Sequence, residues 1–155
     1  MAIKDKISQE RLTKLHPAKQ VNFEAAIIAA ETELGIELRI AQGLRTFAEQ
    51  DALYAKGRTK PGAKVTNAKG GQSWHCYGLA IDVVVLLPTG QIDWKYDYKK
   101  IDAIFSRYGL TWGHAWNDND HFEDNLGHGP SGWKWALERL KAGKVDAAGY
   151  LLLTD

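Results

Sequence analysis

The sequence predicts an α+β domain in which a small antiparallel sheet is flanked by helices. Three observations carry that prediction. Stretches with apolar residues at helical spacing are interleaved with short runs of period-two alternation or dense Val, Ile and Leu. Their order mixes helices with short strands instead of segregating them. The chain has 155 residues, 45% hydrophobic and 25% charged, enough for one domain that buries its own core without disulfides.

The elements follow in order. Ser8 is placed to cap a short first helix that ends near His16-Pro17. Residues Pro17 to Leu34 read as a long helix with Val21, Ala25, Ile28 and Ala29 on its inner face, closed by Gly35. Ile36, Leu38 and Ile40 alternate with Glu37, Arg39 and Ala41, the pattern of a half-buried strand. Thr46-Phe47-Ala48-Glu49 is a capping box, so a helix runs from there to about Lys56 and stops at Gly57. Gly57 to Gln72 is a long surface loop rich in Gly, Lys, Thr and Asn. Leu79 to Leu87 reads as a central strand, Pro88-Thr89-Gly90 as a turn, and Gln91 to Trp94 as a returning strand. Ile101, Ile104, Phe105 and Tyr108 have helix spacing, ended by Gly109. Leu110 to Trp112 and Asp120 to Glu123 are short strands, and Ser131 caps a last helix carrying Trp133, Leu137 and Leu140.

Charge and cysteine usage remove several functional classes. Lys plus Arg is 20 against 19 for Asp plus Glu, so no basic field draws the chain to nucleic acid or to an anionic membrane. The apolar run at Leu79 to Leu87 contains Asp82 and is too short to span a bilayer. Cys76 is the only cysteine, so no internal disulfide can form. The opening residues Met1 to Leu15 are charged and polar, without the apolar segment of a secretory signal; the expectation is a protein held in a bacterial cytoplasm until released, and a monomer.

Three clusters could do chemistry: Gly43-Leu44-Arg45-Thr46, the stretch Ser73 to Asp82, and Asp118 to Glu123. Asp82 lies among apolar strand residues, where a carboxylate is costly unless paired or bound to a metal. Two imidazoles, His75 and His121, with that carboxylate make a sound zinc shell that leaves one position for water. Asp118, three residues before His121, can reach that water as a general base without binding the metal. Each residue alone has an ordinary structural explanation: a loop histidine at His75, a core histidine at His121, a salt bridge at Arg45. Asp120 rivals Asp118 as the base, although an extended segment turns it to the opposite face from His121. His114 and His128 are rival ligands in Gly-rich loops expected to face solvent, and Cys76 is a rival thiolate crowded by His75. Trp74, Trp112 and Trp116 could line a cleft or simply pack. The helical zincin pattern His-Glu-x-x-His is absent.

Ser73-x-His75-x-x-Gly78-x-Ala80-x-Asp82, followed by Asp118-x-x-His121-Phe122, resembles the M15 family of zinc peptidases. The resemblance extends upstream through Gly43-Leu44-Arg45-Thr46, Glu49-Gln50, Leu53-Tyr54, Gly57-Arg58, Pro61-Gly62, Val65-Thr66 and Gly71-Gln72, and so spans about residues 38–123. The chain is most similar to the L-alanyl-D-glutamate endopeptidase branch, which includes bacteriophage endolysins. The resemblance implies a single domain of the Hedgehog/DD-peptidase-like fold, with a catalytic core at about 36–125 and a C-terminal helical segment at about 131–155. It implies zinc held by His75, Asp82 and His121, and Asp118 as the catalytic carboxylate. It puts Arg45 in the cleft, on a substrate carbonyl or carboxylate, and Ser73 beside it as a support or substrate contact. The implied substrate is the peptidoglycan stem peptide, cut between L-alanine and D-glutamate during host cell lysis. D,D-carboxypeptidase or dipeptidase activity on the same scaffold, and a zinc-stabilised wall-binding domain without catalysis, are the alternatives. Two positions depart from the family pattern: Cys76 stands where an Asn-like polar residue is expected, and His114 where a second Gly is expected.

Overall fold

A computed structural model describes residues 2–155. Its elements are α1 (Lys6–Leu12), α2 (Gln20–Leu34), β1 (Glu37–Gln42), α3 (Phe47–Ala55), β2 (Ala80–Leu86), α4 (Tyr98–Phe105), β3 (Thr111–Trp112), β4 (His121–Glu123) and α5 (Trp133–Lys141). The strands form one antiparallel sheet in the order β1-β2-β4-β3. This is the α+β architecture expected, with helices packed against a small sheet.

The period-two rule decides what each strand offers. Along β2, Ile81, Val83 and Val85 enter the main core, packed by Phe23, Ala26 and Ile27 of α2 and by Ile101, Ile104 and Phe105 of α4. The alternate residue Ala80 turns to a second core with Trp74, Tyr77, Leu79, Ala136 and Leu151. Asp82 lies on that second face. In β4, Phe122 fills the main core and stacks edge-to-face on Phe105 at 4.7 Å. His121 and Glu123, on either side of it, therefore share the face of Asp82. Asp82 and His121 are direct partners across the β2–β4 pair. The β1–β2 register slips between Ile40 and Gln42, so that Gln42 comes opposite Asp82. Bulges of this kind are common beside active sites, where they re-aim a side chain.

Several details depart from expectation, each for a local reason. Asp5, not Ser8, caps α1: its carboxylate accepts the Ser8 backbone N–H at 3.0 Å, and the Ser8 hydroxyl is drawn inward, accepting the Ile40 N–H at 2.7 Å. The second helix begins at Gln20, and its buried stripe is Phe23, Ala26, Ile27 and Ala30, about one position away from the expected one. Val21 is 79% exposed. In so alanine-rich a helix several stripes are nearly equivalent, and the bulk of Phe23 decides between them. Gln91 to Trp94 forms no strand, only an isolated bridge from Ile92 to Leu86. Ser131 lies inside a 3-10 turn (Pro130–Gly132), and α5 starts without a side-chain cap. Helix occupies only 133–141 of the C-terminal segment; the rest is turns closed by a bridge between Val145 and Leu151. The capping box at Thr46 and Glu49 and the left-handed Gly35 that ends α2 are as expected. No helix among the described residues is long and apolar enough to cross a membrane.

Candidate metal centre and cleft

The three clusters named from the sequence meet at one end of β2. His75 sits in a 3-10 turn (Trp74–Tyr77) whose first N–H groups are capped by Ser73: the Ser73 hydroxyl accepts the His75 N–H at 3.2 Å. The turn closes at Gly78, with φ 69°, where a Cβ would come within 2.6 Å of the His16 nitrogen. A glycine is required there both for the backbone angle and for the close approach. His75 Nε2 lies 3.0 Å from Asp82 Oδ1, His121 Nδ1 lies 3.3 Å from the same oxygen, and the two ring nitrogens are 3.2 Å apart. The other nitrogen of each ring is committed as a donor. His75 Nδ1 donates to the Gly43 carbonyl at 2.8 Å, and His121 Nε2 donates to Glu123 Oε1 at 2.7 Å. In the neutral rings the remaining lone pairs, on His75 Nε2 and His121 Nδ1, face one place beside Asp82, where a proton or a metal ion can be held.

The spacing fits a metal. Donors about 2.0–2.1 Å from a tetrahedral zinc stand roughly 3.3 Å apart. Across the described residues, His75, Asp82 and His121 are the one group of His, Cys, Asp or Glu side chains close enough to hold an ion together. The rings are nearly sealed, at 3% and 5% exposure, so water competes little for their lone pairs. The electrostatics agree. Burial opposes the charge on Asp82, but the neighbouring His75 and His121 outweigh it and hold the carboxyl well below the usual range. Burial likewise works against a charged His121, yet Asp82 and Glu123 overcome it and raise the pKa to about 9. The pocket is built to carry positive charge.

Around this centre opens a cleft of about 690 Å³, lined among others by Arg45, Ser73, Trp116, Asn117, Asp118 and Trp133. Asp118 Oδ2 is 3.7 Å from His121 Nδ1, and its side chain is 46% exposed, free to meet a water or a substrate. Its loop is held by close backbone packing: the Asp118 N–H bonds to the Gly113 carbonyl at 2.9 Å, and a Cβ on Gly113 would stand 2.4 Å from the Asp118 carbonyl oxygen. Arg45 reaches in from the other wall. Its Nη1 donates to Gln50 Oε1 at 2.8 Å, and its Nη2 is 3.9 Å from Asp82 Oδ2. Arg45 Nε is buried and has no hydrogen-bond partner among the described residues.

The rival residues fall elsewhere. Asp120 does not line the cleft, but its carboxyl is close enough to matter: burial first, then the charges of Asp82 and Asp118, push its pKa up to about 7. It is thus tied electrostatically to Asp118 and not isolated on an opposite face. His114 is exposed and stacks on Trp112; His128 is exposed and stacks on Trp135. Cys76 packs against the second core, and burial pushes its thiol up, away from the thiolate a metal needs. Trp74 is a core residue that also borders the cleft, and Trp116 edges His121 at 5.8 Å on the cleft wall. Glu123 and Gln50 fall within motifs of the sequence but carry no assigned role there, and Asn125 falls outside them; all three are buried. A signal for Glu123 was present, because His121-x-Glu123 in a strand puts both side chains on one face.

A convergent nitrogen and oxygen donor set on the floor of an open cleft, with an exposed carboxylate beside it, is a layout suited to metal-assisted hydrolysis. Residues 12–127 match the family VanY, D-alanyl-D-alanine carboxypeptidase. The chain belongs to that family, within the M15 peptidases. It is 40% identical, over 122 residues covering 70% of this chain and 72% of the other, to the peptidoglycan L-alanyl-D-glutamate endopeptidase CwlK of Bacillus subtilis (strain 168). In fold it matches the crystal structure of the Serratia marcescens L-Ala D-Glu endopeptidase ChiX, with a TM-score of 0.55 over 76% of this chain and 86% of that one, at 24% identity.

Proposed function

We propose that this protein is a zinc-dependent peptidoglycan endopeptidase that cuts the L-alanyl–D-glutamate bond of the stem peptide. The observation that carries the proposal is the convergence of His75 Nε2, Asp82 Oδ1 and His121 Nδ1 within hydrogen-bond distance of one another, with the Asp118 carboxylate beside them in the cleft. The choice of bond is supported by the 40% identity to CwlK.

His75, Asp82 and His121 would hold the ion, leaving one position open. Zinc, when bound there, would supply Lewis acidity and make water a competent nucleophile near neutral pH. Asp118 accepts the proton of the attacking water and returns it to the leaving amine; its exposure in the cleft suits a group that must meet both. Arg45 is steadied by Gln50, lines the cleft and has its Nε left unsatisfied, so its guanidinium can hold a substrate carboxylate or the oxyanion that forms at the scissile carbonyl. Ser73 keeps the turn of His75 in place.

Mass spectrometry of purified peptidoglycan after digestion tests the reading. Stem peptides that begin at D-glutamate, lost on chelation and restored by zinc, are the expected product. Loss of terminal D-alanine alone would move the activity to D,D-carboxypeptidase, and no zinc-dependent product at all would leave a wall-binding domain. A phage-type lysin role, with the protein held in the host cytoplasm until lysis, is a further part of the proposal. Its support is the resemblance to the endolysin branch. Rapid clearing of outer-membrane-permeabilised cells by wild-type protein, and none by Asp118→Asn, is the outcome it requires.

A further inference from the structure

One charged side chain beside the proposed zinc site has no part in that chemistry and yet is almost wholly buried. Glu123 is 3% exposed, in β4 opposite Ala80 of β2 and Thr111 of β3. A carboxylate at such a place is costly unless every oxygen is satisfied. Here both are. Oε1 accepts His121 Nε2–H at 2.7 Å, and Oε2 accepts the Asn125 side-chain amide at 3.0 Å. Asn125 is itself buried, with its amide 3.4 Å from the Thr111 hydroxyl. The two histidines are thus fixed in different ways. His75 gives its Nδ1 proton to a backbone carbonyl and turns Nε2 to the centre; His121 gives its Nε2 proton to a carboxylate and turns Nδ1 to the centre.

We propose that Glu123 is a positioning residue: clamped by Asn125, it keeps the His121 proton on Nε2 and so presents the Nδ1 lone pair to the point shared with His75 Nε2 and Asp82 Oδ1. The inference rests on the reading that those three groups hold zinc. A carboxylate does two things that a carbonyl does not. Its negative charge makes the opposite ring nitrogen a better donor. Its second oxygen lets a neighbour lock the orientation.

The test uses the full chain with Glu123→Gln, which keeps an acceptor oxygen without the charge, and Glu123→Met, which keeps bulk and removes the acceptor. Zinc affinity is measured by competition with a chromophoric chelator. The ring proton of His121 is located from 15N chemical shifts of the metal-free protein, recorded above the pH at which those shifts stop changing. Outer partners of metal-bound histidine typically account for about 10–100-fold in affinity, and a loss in that range is expected for Glu123→Met together with movement of the proton off Nε2. Glu123→Gln should keep the proton on Nε2 and show a smaller but measurable loss, below about 10-fold. If either folded variant binds zinc as tightly as wild type, the role of Glu123 is refuted; a lowered unfolding temperature with affinity and ring proton unchanged is the signature of mere packing. Should the Met variant fail to fold, the Gln variant still decides. Wild-type protein that takes up no zinc overturns the metal reading itself, a result distinct from unchanged variants.

Discussion

Gly113→Ala tests how closely the Asp118 loop is held. The backbone angles of Gly113 are not in the left-handed region, so alanine is conformationally allowed and only space is at issue. The added Cβ would lie 2.4 Å from the Asp118 carbonyl oxygen, 3.0 Å from Asp118 Cβ and 3.1 Å from His121 Cβ. Ordinary contact begins near 3.4 Å, so the backbone of Asp118 must retreat by about 1 Å. A misplacement of about 1 Å in a group that must align with substrate costs on the order of 100-fold in rate. Overpacking adds about 1–3 kcal/mol of destabilisation. For a chain of 155 residues that is a fall of roughly 3–10 °C in Tm. The assay is kcat/KM on a defined muropeptide at saturating zinc, beside a thermal melt. Wild-type kcat/KM and Tm would show that the loop yields freely, and that Asp118 is not held where the reasoning requires.

Further outcomes follow from the same geometry. Asp118→Asn should fold and bind zinc normally while losing about 10²–10⁴-fold in kcat, the usual share of a general base; unchanged turnover would remove Asp118 from that role. It should also lower the Asp120 pKa from about 7, since the Asp118 charge is one of the causes that raise it; carboxyl NMR titration reads this. His75→Ala and His121→Ala should each lose both zinc and turnover, measured by metal analysis of the purified proteins. Asp5 is held below its ordinary value of 3.8, chiefly by its hydrogen bond from Arg39 and, against the effect of burial, by Ser8. A lowered folded-state pKa contributes stability that is present above the unfolded value and lost as pH falls through the folded one. Asp5→Asn should therefore flatten the stability profile below about pH 4 in acid-unfolding experiments. Phe105→Ala removes a fully buried ring stacked on Phe122 and should cost about 3–5 kcal/mol by denaturant titration.

Much of the site was legible because its signals are local. The capping box at Thr46, the left-handed stop at Gly35 and the alternation of β1 are each written within a few residues, and the backbone answers them directly. Asp82 was conspicuous for a physical reason: a charge among Ile81, Val83 and Val84 has to be neutralised by something. Less legible were features where competing local choices differ by little energy. Asp5 and Ser8 can both cap α1, and the side chain of Arg39, distant in sequence, favours the former. The stripe of α2 depends on which residue the sheet has room to receive. A strand at Gln91 to Trp94 would have needed a pairing partner beyond the single bridge at Leu86.

The sequence by itself determined most of the element types, the α+β class and the chemical character of the donors, because propensity, capping and period-two alternation act over a few residues. The tertiary structure alone decided which atoms face one another. It brought Gly43 from one strand end, His75 from a turn and His121 from a distant strand around Asp82, and it tied Asp120 to Asp118 by charge. It also enclosed Glu123 and Asn125 behind His121, where their partners come from β4 and the strand beside it. Distances across a sheet are set by register and packing of the whole core, and no stretch of a few residues encodes them.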